Sequence, residues 1–256
     1  MGESTTQAGR AVEVPAYLEH EGQRLYTVLH PARGARRALL LVAGPFGAER
    51  ERAYLTSVQW ARRLAAEGVD VLRFDYRGLG ESTGDFAAMS LAAWKKDVAA
   101  TARVLRRRDA EAPLILHGLR MGGLLAADLF AEGLGDGLLL WAPPASAREH
   151  LWELLRRNVI TEMVVRPSGK PKTREAWAAE LEAGGRVVVD GYVWTRELWQ
   201  EAGALALRLP AAEEPRPWRR FDHSSRFWES GPRLVPDTAA LFEASEAWLA
   251  GLRRGP

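Results

Sequence analysis

The sequence predicts an α/β domain: a mostly parallel sheet of about eight strands flanked by helices, with a helical insertion after the sixth strand. Three observations carry that expectation. Short apolar runs alternate with helical periodicities of roughly 12–16 residues, the rhythm of right-handed β-α-β crossovers. Residues 38–43 (Ala-Leu-Leu-Leu-Val-Ala) are apolar without alternation, as a central strand covered on both faces requires. Residues 114–130 read as a buried strand, a glycine-rich turn and an apolar helix in immediate succession.

Residues 1–12 read as a frayed tail. An antiparallel opening follows, with strands over 11–18 and 24–30 joined by a turn at Glu21-Gly22. After a turn at 31–37 and the strand at 38–43, residues 54–67 place Leu55, Val58, Ala61, Leu64 and Ala65 at helical spacing and stop at Gly68. Residues 69–75 form the next strand, 91–105 an amphipathic helix, 113–117 a strand and 124–130 an apolar helix. A short strand at 138–141 is closed by Ala142-Pro143-Pro144. The rhythm then changes. Helices over 147–163 and 174–182 flank a Pro/Gly/Lys-rich turn at 166–172, a small hairpin covers 184–192, and another helix covers 197–205. Residues 206–209 supply a seventh strand and 239–252 the closing helix. The expected organisation is a single domain over 1–256, with a core at 11–144 and 204–253 and an insertion at 145–203.

With 256 residues, 47% of them hydrophobic, the chain can bury one large core. The absence of cysteine excludes disulfides, thiolate metal sites and a cysteine nucleophile. No leader-like apolar segment opens the chain and no window approaches ~18 uninterrupted apolar residues, so a cytoplasmic location without a membrane span is expected. The 35 basic and 33 acidic residues are interspersed, leaving a net charge of +2 and no concentrated basic stripe. Nucleic acid is therefore not an expected partner. No carboxylate–histidine grouping has metal-ligand spacing, and Gly78-x-Gly80 opens no dinucleotide-binding helix, so no metal or cofactor is expected.

The chemistry concentrates in Leu114-Ile115-Leu116-His117-Gly118-Leu119-Arg120-Met121-Gly122-Gly123. This is the layout of a nucleophile elbow, G-x-S-x-G, in which a sharp strand-to-helix turn lifts the central side chain into the active site. Arginine stands where serine belongs. Together with Ala43-Gly44-Pro45-Phe46-Gly47 and the turn from Asp75 through Gly78, Gly80, Ser82 and Gly84 to Asp85, the elbow resembles the α/β-hydrolase superfamily. More narrowly the chain is similar to the "hydrolase 2" proteins associated with exosortase A systems, on the Gly-Leu-Arg elbow, the Gly-Asp-Phe turn, Trp94, Asp97, Gly191-Tyr192 and Phe227-Trp228. That resemblance spans roughly residues 38–250. It implies an α/β-hydrolase fold with a lid at 145–203 and a bacterial setting in exopolysaccharide synthesis or protein sorting.

Serine hydrolysis needs a nucleophile, a base, an orienting acid and an oxyanion hole. Arg120 cannot attack a carbonyl, because guanidinium stays protonated at any usable pH. Met121 keeps one oxyanion N–H; the second position falls on Pro45, which has none, unless Phe46 donates from a shifted loop. His223 is the candidate base and Glu213 and Glu214 the candidate acids, although they lie close to it in sequence. Ser82 and Ser90 read as turn and cap residues before they read as substitute nucleophiles, and His117 as a core histidine. Trp228 and Trp194 are the tryptophans expected at the pocket.

A cation at a helix N-terminus needs an anion opposite it. Two arrangements are open. An internal carboxylate pairs with Arg120, Glu49 first and Asp85 second; or the site receives a small anionic ligand, an acyl or carboxylate compound, with the Met121 N–H assisting. The expected function is a non-catalytic binding or accessory protein, with a protein partner or a homodimer open. The alternative is a hydrolase or acyltransferase that uses a non-standard nucleophile or an activated water.

Overall fold

The computed structural model describes residues 12–165, 172–211, 213–222, 226–229 and 237–252. Strands β1 (Val14–His20) and β2 (Gln23–His30) form the antiparallel opening, and β2 pairs antiparallel with β4 (Val69–Phe74). From there pairing is parallel: β4 to β3 (Ala38–Ala43), β3 to β5 (Leu114–Leu119), and β5 to β6 (Gly137–Trp141). Every residue of β3, β4, β5 and β6 is buried, and β3 and β6 read accordingly as apolar runs, while β4 also buries Asp70 and Arg73.

Side chains leave the sheet alternately to two layers. Ala38, Leu40 and Val42 meet α1 (Gly47–Ala66) and α7 (Ala239–Gly251) on one face. Leu39 and Leu41 meet α2 (Leu91–Arg106) and α3 (Met121–Ala131) on the other. The insertion joins this second layer. Leu151, Leu154 and Leu155 of α4 (Ala147–Val165), Trp177 and Leu181 of α5 (Arg174–Glu182), Trp194 of the β7 (Val187–Val189) and β8 (Tyr192–Trp194) hairpin, and Leu198 and Trp199 of α6 (Arg196–Glu201) share one apolar cluster with the sheet.

Two boundaries differ from the sequence expectation. The first helix starts at Gly47 rather than at residue 54, because its opening turn is polar and is buried through ion pairs, not apolar contacts. The last strand of the seven-stranded sheet is β9 (Trp218–Phe221), parallel to β6, rather than residues 206–209, which contribute only an isolated bridge between Ser146 and Ala206. β9 is a half-exposed edge strand reading Trp-Arg-Arg-Phe, so it carries little apolar signal. Among the described residues no helix is long and apolar enough to cross a membrane.

Candidate functional site

Arg120 stands between β5 and α3 with φ 54° and ψ −122°, a strained left-handed conformation for a residue with a side chain. The flanking glycines make the turn possible. A Cβ on Gly118 would lie 2.4 Å from Gly123 Cα, and one on Gly122 would lie 2.1 Å from the Ala43 carbonyl oxygen. These are backbone-on-backbone approaches, so neither position tolerates a side chain. The elbow is where the sequence places it, fastened by the Arg120 N–H to the Trp141 carbonyl at 3.1 Å.

The guanidinium of Arg120 is enclosed by donors' complements. Its Nη2 donates to Glu153 Oε2 at 2.7 Å and lies 3.1 Å from His150 Nδ1; Nη1 donates to the Ala142 carbonyl at 3.2 Å. Nε is 3.5 Å from Glu49 Oε1, and the cation lies 5.3 Å from the Trp228 ring centroid. Glu49 comes from the first turn of α1, and His150, Glu153 and Arg157 share one face of α4. Glu49 binds Arg157 Nη2 at 2.8 Å and faces His150 Nε2 at 3.1 Å. The internal arrangement anticipated with Glu49 is thus present, but Glu153 is the nearer carboxylate. Asp85 instead caps a short 3-10 turn by accepting from the Ala87 N–H.

The electrostatics follow from this packing. Burial alone would raise the Glu49 carboxyl, yet His150, Arg120 and Arg157 together hold it down to about 2. Glu153 is held at about 2 by His150, against its burial, with Arg120 adding to the effect. Burial opposes a charged His150, but the two carboxylates outweigh burial and Arg120, so its pKa is raised. Neutral His150, protonated at Nε2, accepts from Arg120 through Nδ1; a second proton turns Nδ1 into a donor toward Glu153, 3.8 Å away.

Phe46 packs among aromatic rings next to the cluster. It is 2% exposed and meets Phe86, Trp94, Trp194 and His150 at centroid distances of 5.4–6.3 Å. Met121 is buried in the same apolar cluster. Pro45 lines a small crevice with Gly44 and Tyr76. Cavities of about 570, 510 and 320 Å³ open elsewhere, none of them lined by Arg120.

The remaining candidates are dispersed. Glu214 pairs with Arg216 before β9, at the edge where the parallel strands begin, whereas Arg120 sits where they end; Glu213 precedes it by one residue. His223 lies outside the described residues. Ser82 Oγ donates to the Asp75 carbonyl at 2.6 Å and accepts from the Tyr26 N–H at 2.8 Å, and Ser90 caps α2. His117 is buried between Trp60 and Trp141, and burial pushes its pKa down to about 3. Sequence reasoning missed His150, Glu153 and Arg157, whose spacing shows a common helix face but not what that face meets. It also missed Asp222, which follows β9 at the strand ends and pairs with Arg220, because the last strand was placed too early.

A mostly parallel sheet covered by helices, with a strained strand–turn–helix elbow at its strand ends, defines an α/β hydrolase. The serine aminopeptidase S33 family model matches residues 49–181, just over half of the chain, and the protein belongs to that family. Solved structures share its architecture. A lidless α/β serine hydrolase from Xanthomonas campestris is 17% identical, covering 95% of this chain and 97% of its own, with a TM-score of 0.55. Est1E from Butyrivibrio proteoclasticus, solved with ferulic acid bound, is 16% identical over 92% and 99% of the chains at 0.61. GrgF from a Penicillium species is 13% identical over 93% and 98% at 0.60. No curated protein matches the sequence.

Proposed function

We propose that this protein is a non-catalytic member of its family that acts by binding. One observation carries the reading: the nucleophile position holds Arg120, whose charge is already engaged by Glu153, Glu49 and the Ala142 carbonyl. Loss of the nucleophile alone costs about 10⁶-fold in a serine hydrolase. Pro45 removes an oxyanion donor as well. A small external carboxylate or other anion could reach Arg120 only by replacing Glu153, the one half-exposed carboxylate of the cluster. On the resemblance to the exosortase A-associated group, we place this role in the cytoplasm of a bacterium, as an accessory to exopolysaccharide or envelope biology. Purified protein is expected neither to turn over a panel of p-nitrophenyl esters above background nor to be labelled by a fluorophosphonate probe. Turnover with saturation kinetics would overturn the reading.

A hydrolase that activates water is the second reading, favoured by the 3.1 Å approach of His150 Nε2 to Glu49, a pairing suited to general-base work. His150 is fully buried, and its other nitrogen faces Arg120, so the base has no open side. The ester panel decides between the two: turnover without fluorophosphonate labelling supports activated water.

A further inference from the structure

Among the described residues, Arg73 is a largely buried cation with no carboxylate in direct contact. Arg73 lies on β4 opposite Val28 of β2 and is only 9% exposed. Most of the side chain is buried, but its Nη atoms are open to the adjoining cavity rather than orphaned in the interior. Among the described residues, no carboxylate oxygen lies within 4.0 Å of its guanidinium. Its Nε donates to His30 Nε2 at 3.0 Å, and its Cζ lies 5.2 Å from the centroid of the Tyr54 ring. His30 is neutral or cationic and so supplies no negative charge; burial and then Arg73 push its pKa down to about 4, which keeps it a neutral acceptor. Glu13 stands behind His30, 3.8 Å from Nδ1, but is itself held by Arg62. The two Nη groups of Arg73 have no hydrogen-bond partner among the described residues.

Arg73 lines a cavity of about 570 Å³ between β2, β4 and the first turns of α1, a volume suited to a small organic ligand. Tyr26 and Tyr54 provide ring surface. The other charges are arranged around this cation in a definite order. Arg50 and Asp75 neutralise each other, with Arg50 Nε donating to Asp75 at 3.1 Å. Glu51 accepts from the Tyr192 hydroxyl at 2.8 Å. Glu81 sits exposed on the rim without an ion pair among the described residues. The floor of the cavity is therefore positive and its mouth negative.

We infer that this cavity is a binding site for a small monocarboxylate whose outer end donates hydrogen bonds, with the carboxylate on the Arg73 fork and the donors toward Glu81 and Glu51. A guanidinium fork matches a carboxylate bidentately. The acidic mouth disfavours a ligand carrying two or more negative charges, which separates this class from phosphate esters. The cavity shares no lining residue with the Arg120 cluster, so the site stands whether or not the elbow is silent.

Isothermal titration of the full chain at pH 7 and low salt, with D-gluconate, acetate and inorganic phosphate as probes, tests the assignment. Saturable binding of one D-gluconate is expected, tighter than acetate and tighter than phosphate. Arg73→Met is expected to weaken D-gluconate by at least about thirtyfold, the usual consequence of truncating one partner of a buried charge pair. Tyr54→Ala and Glu81→Gln change exposed positions and are each expected to weaken it by about threefold to tenfold, within the range of a single stacking contact or charge-assisted hydrogen bond. If Arg73→Met does not fold by circular dichroism, these two variants decide, and unchanged affinity in both overturns the site. Absence of saturable D-gluconate binding, undiminished affinity in folded Arg73→Met, or tighter binding of phosphate also overturns it.

Discussion

Arg120 and Glu49 belong to one ion-pair cluster at the elbow, where a serine hydrolase holds its nucleophile. Glu49 is 1% exposed on its side chain and answers two guanidinium groups and an imidazole, whereas Glu153 is 44% exposed. Removing the first strands buried cations; removing the second lets water take over. Glu49→Gln is accordingly expected to cost about 3–5 kcal/mol, and Glu153→Gln under about 1 kcal/mol, both read from urea unfolding. Restoring serine is not expected to restore chemistry. Arg120 reaches His150 through its full length, and a serine Oγ at the same Cα would fall short of that ring, with Pro45 still lacking its N–H. Arg120→Ser should therefore remain unlabelled by fluorophosphonate; labelling would show that a base is in place. The replacement of serine was plain in the sequence, as was Glu49. Glu153, His150 and Arg157 were not, because a charged helix face reads the same whether it meets solvent or another element's ions. Protonation adds a pH signature. His30 and His117 are pushed from 6.5 to about 4 and about 3, so the unfolded chain takes up protons first and their contribution, full above pH 6.5, declines as pH falls toward those values. Glu49 adds its own loss lower down, between 4.5 and about 2, while His150, shifted upward, favours the folded state on the acid side and loses that as pH rises. Near pH 5 unfolding should bind close to two protons, a slope of about 1.4 kcal/mol per pH unit for each histidine. A flat profile from pH 6.5 to 4.5 in urea titrations would refute the histidine assignments.

At the scale of elements, α4 brings His150 and Glu153 to the Arg120 cluster. Its first three turns carry Leu151, Leu154 and Leu155 into the core and His150, Glu153 and Arg157 onto the elbow, while Ile160 and Met163 near its end are 59% and 53% exposed. Stability along one helix should be correspondingly uneven. Hydrogen exchange is expected to be slow for amides at 150–158 and markedly faster from 160 onward; uniform exchange along α4 would mean that its first half is not anchored as described. The same contrast explains what could be read in advance. Elements whose burial is apolar, such as α2, β3 and β5, fell within a few residues of their predicted bounds. The opening of α1 and the edge strand β9 did not, because their residues are held by ions and backbone pairing, which leave no periodic pattern.

For the whole molecule, the change of rhythm at residue 145 was legible as an insertion, and its aromatic residues pack into the same apolar cluster as the sheet. Trp177, Trp194 and Trp199 of the insertion share a single apolar cluster with Leu39 and Leu41 of the sheet and Trp94 of α2. A segment that buries its aromatic residues against the central strands cannot leave without exposing that surface, and each large side chain exposed costs on the order of 1.5–3 kcal/mol. Insertion and sheet should then unfold together. Tryptophan fluorescence, which samples both layers, and far-ultraviolet circular dichroism, which samples the helices and strands, are expected to give coincident urea transitions with one midpoint. Limited proteolysis under native conditions should likewise spare 147–165 and 174–201. An early fluorescence transition that leaves the circular dichroism largely intact would mean that the insertion opens by itself, and the elbow would then be reachable from solvent in a way that the closed ion-pair cluster denies.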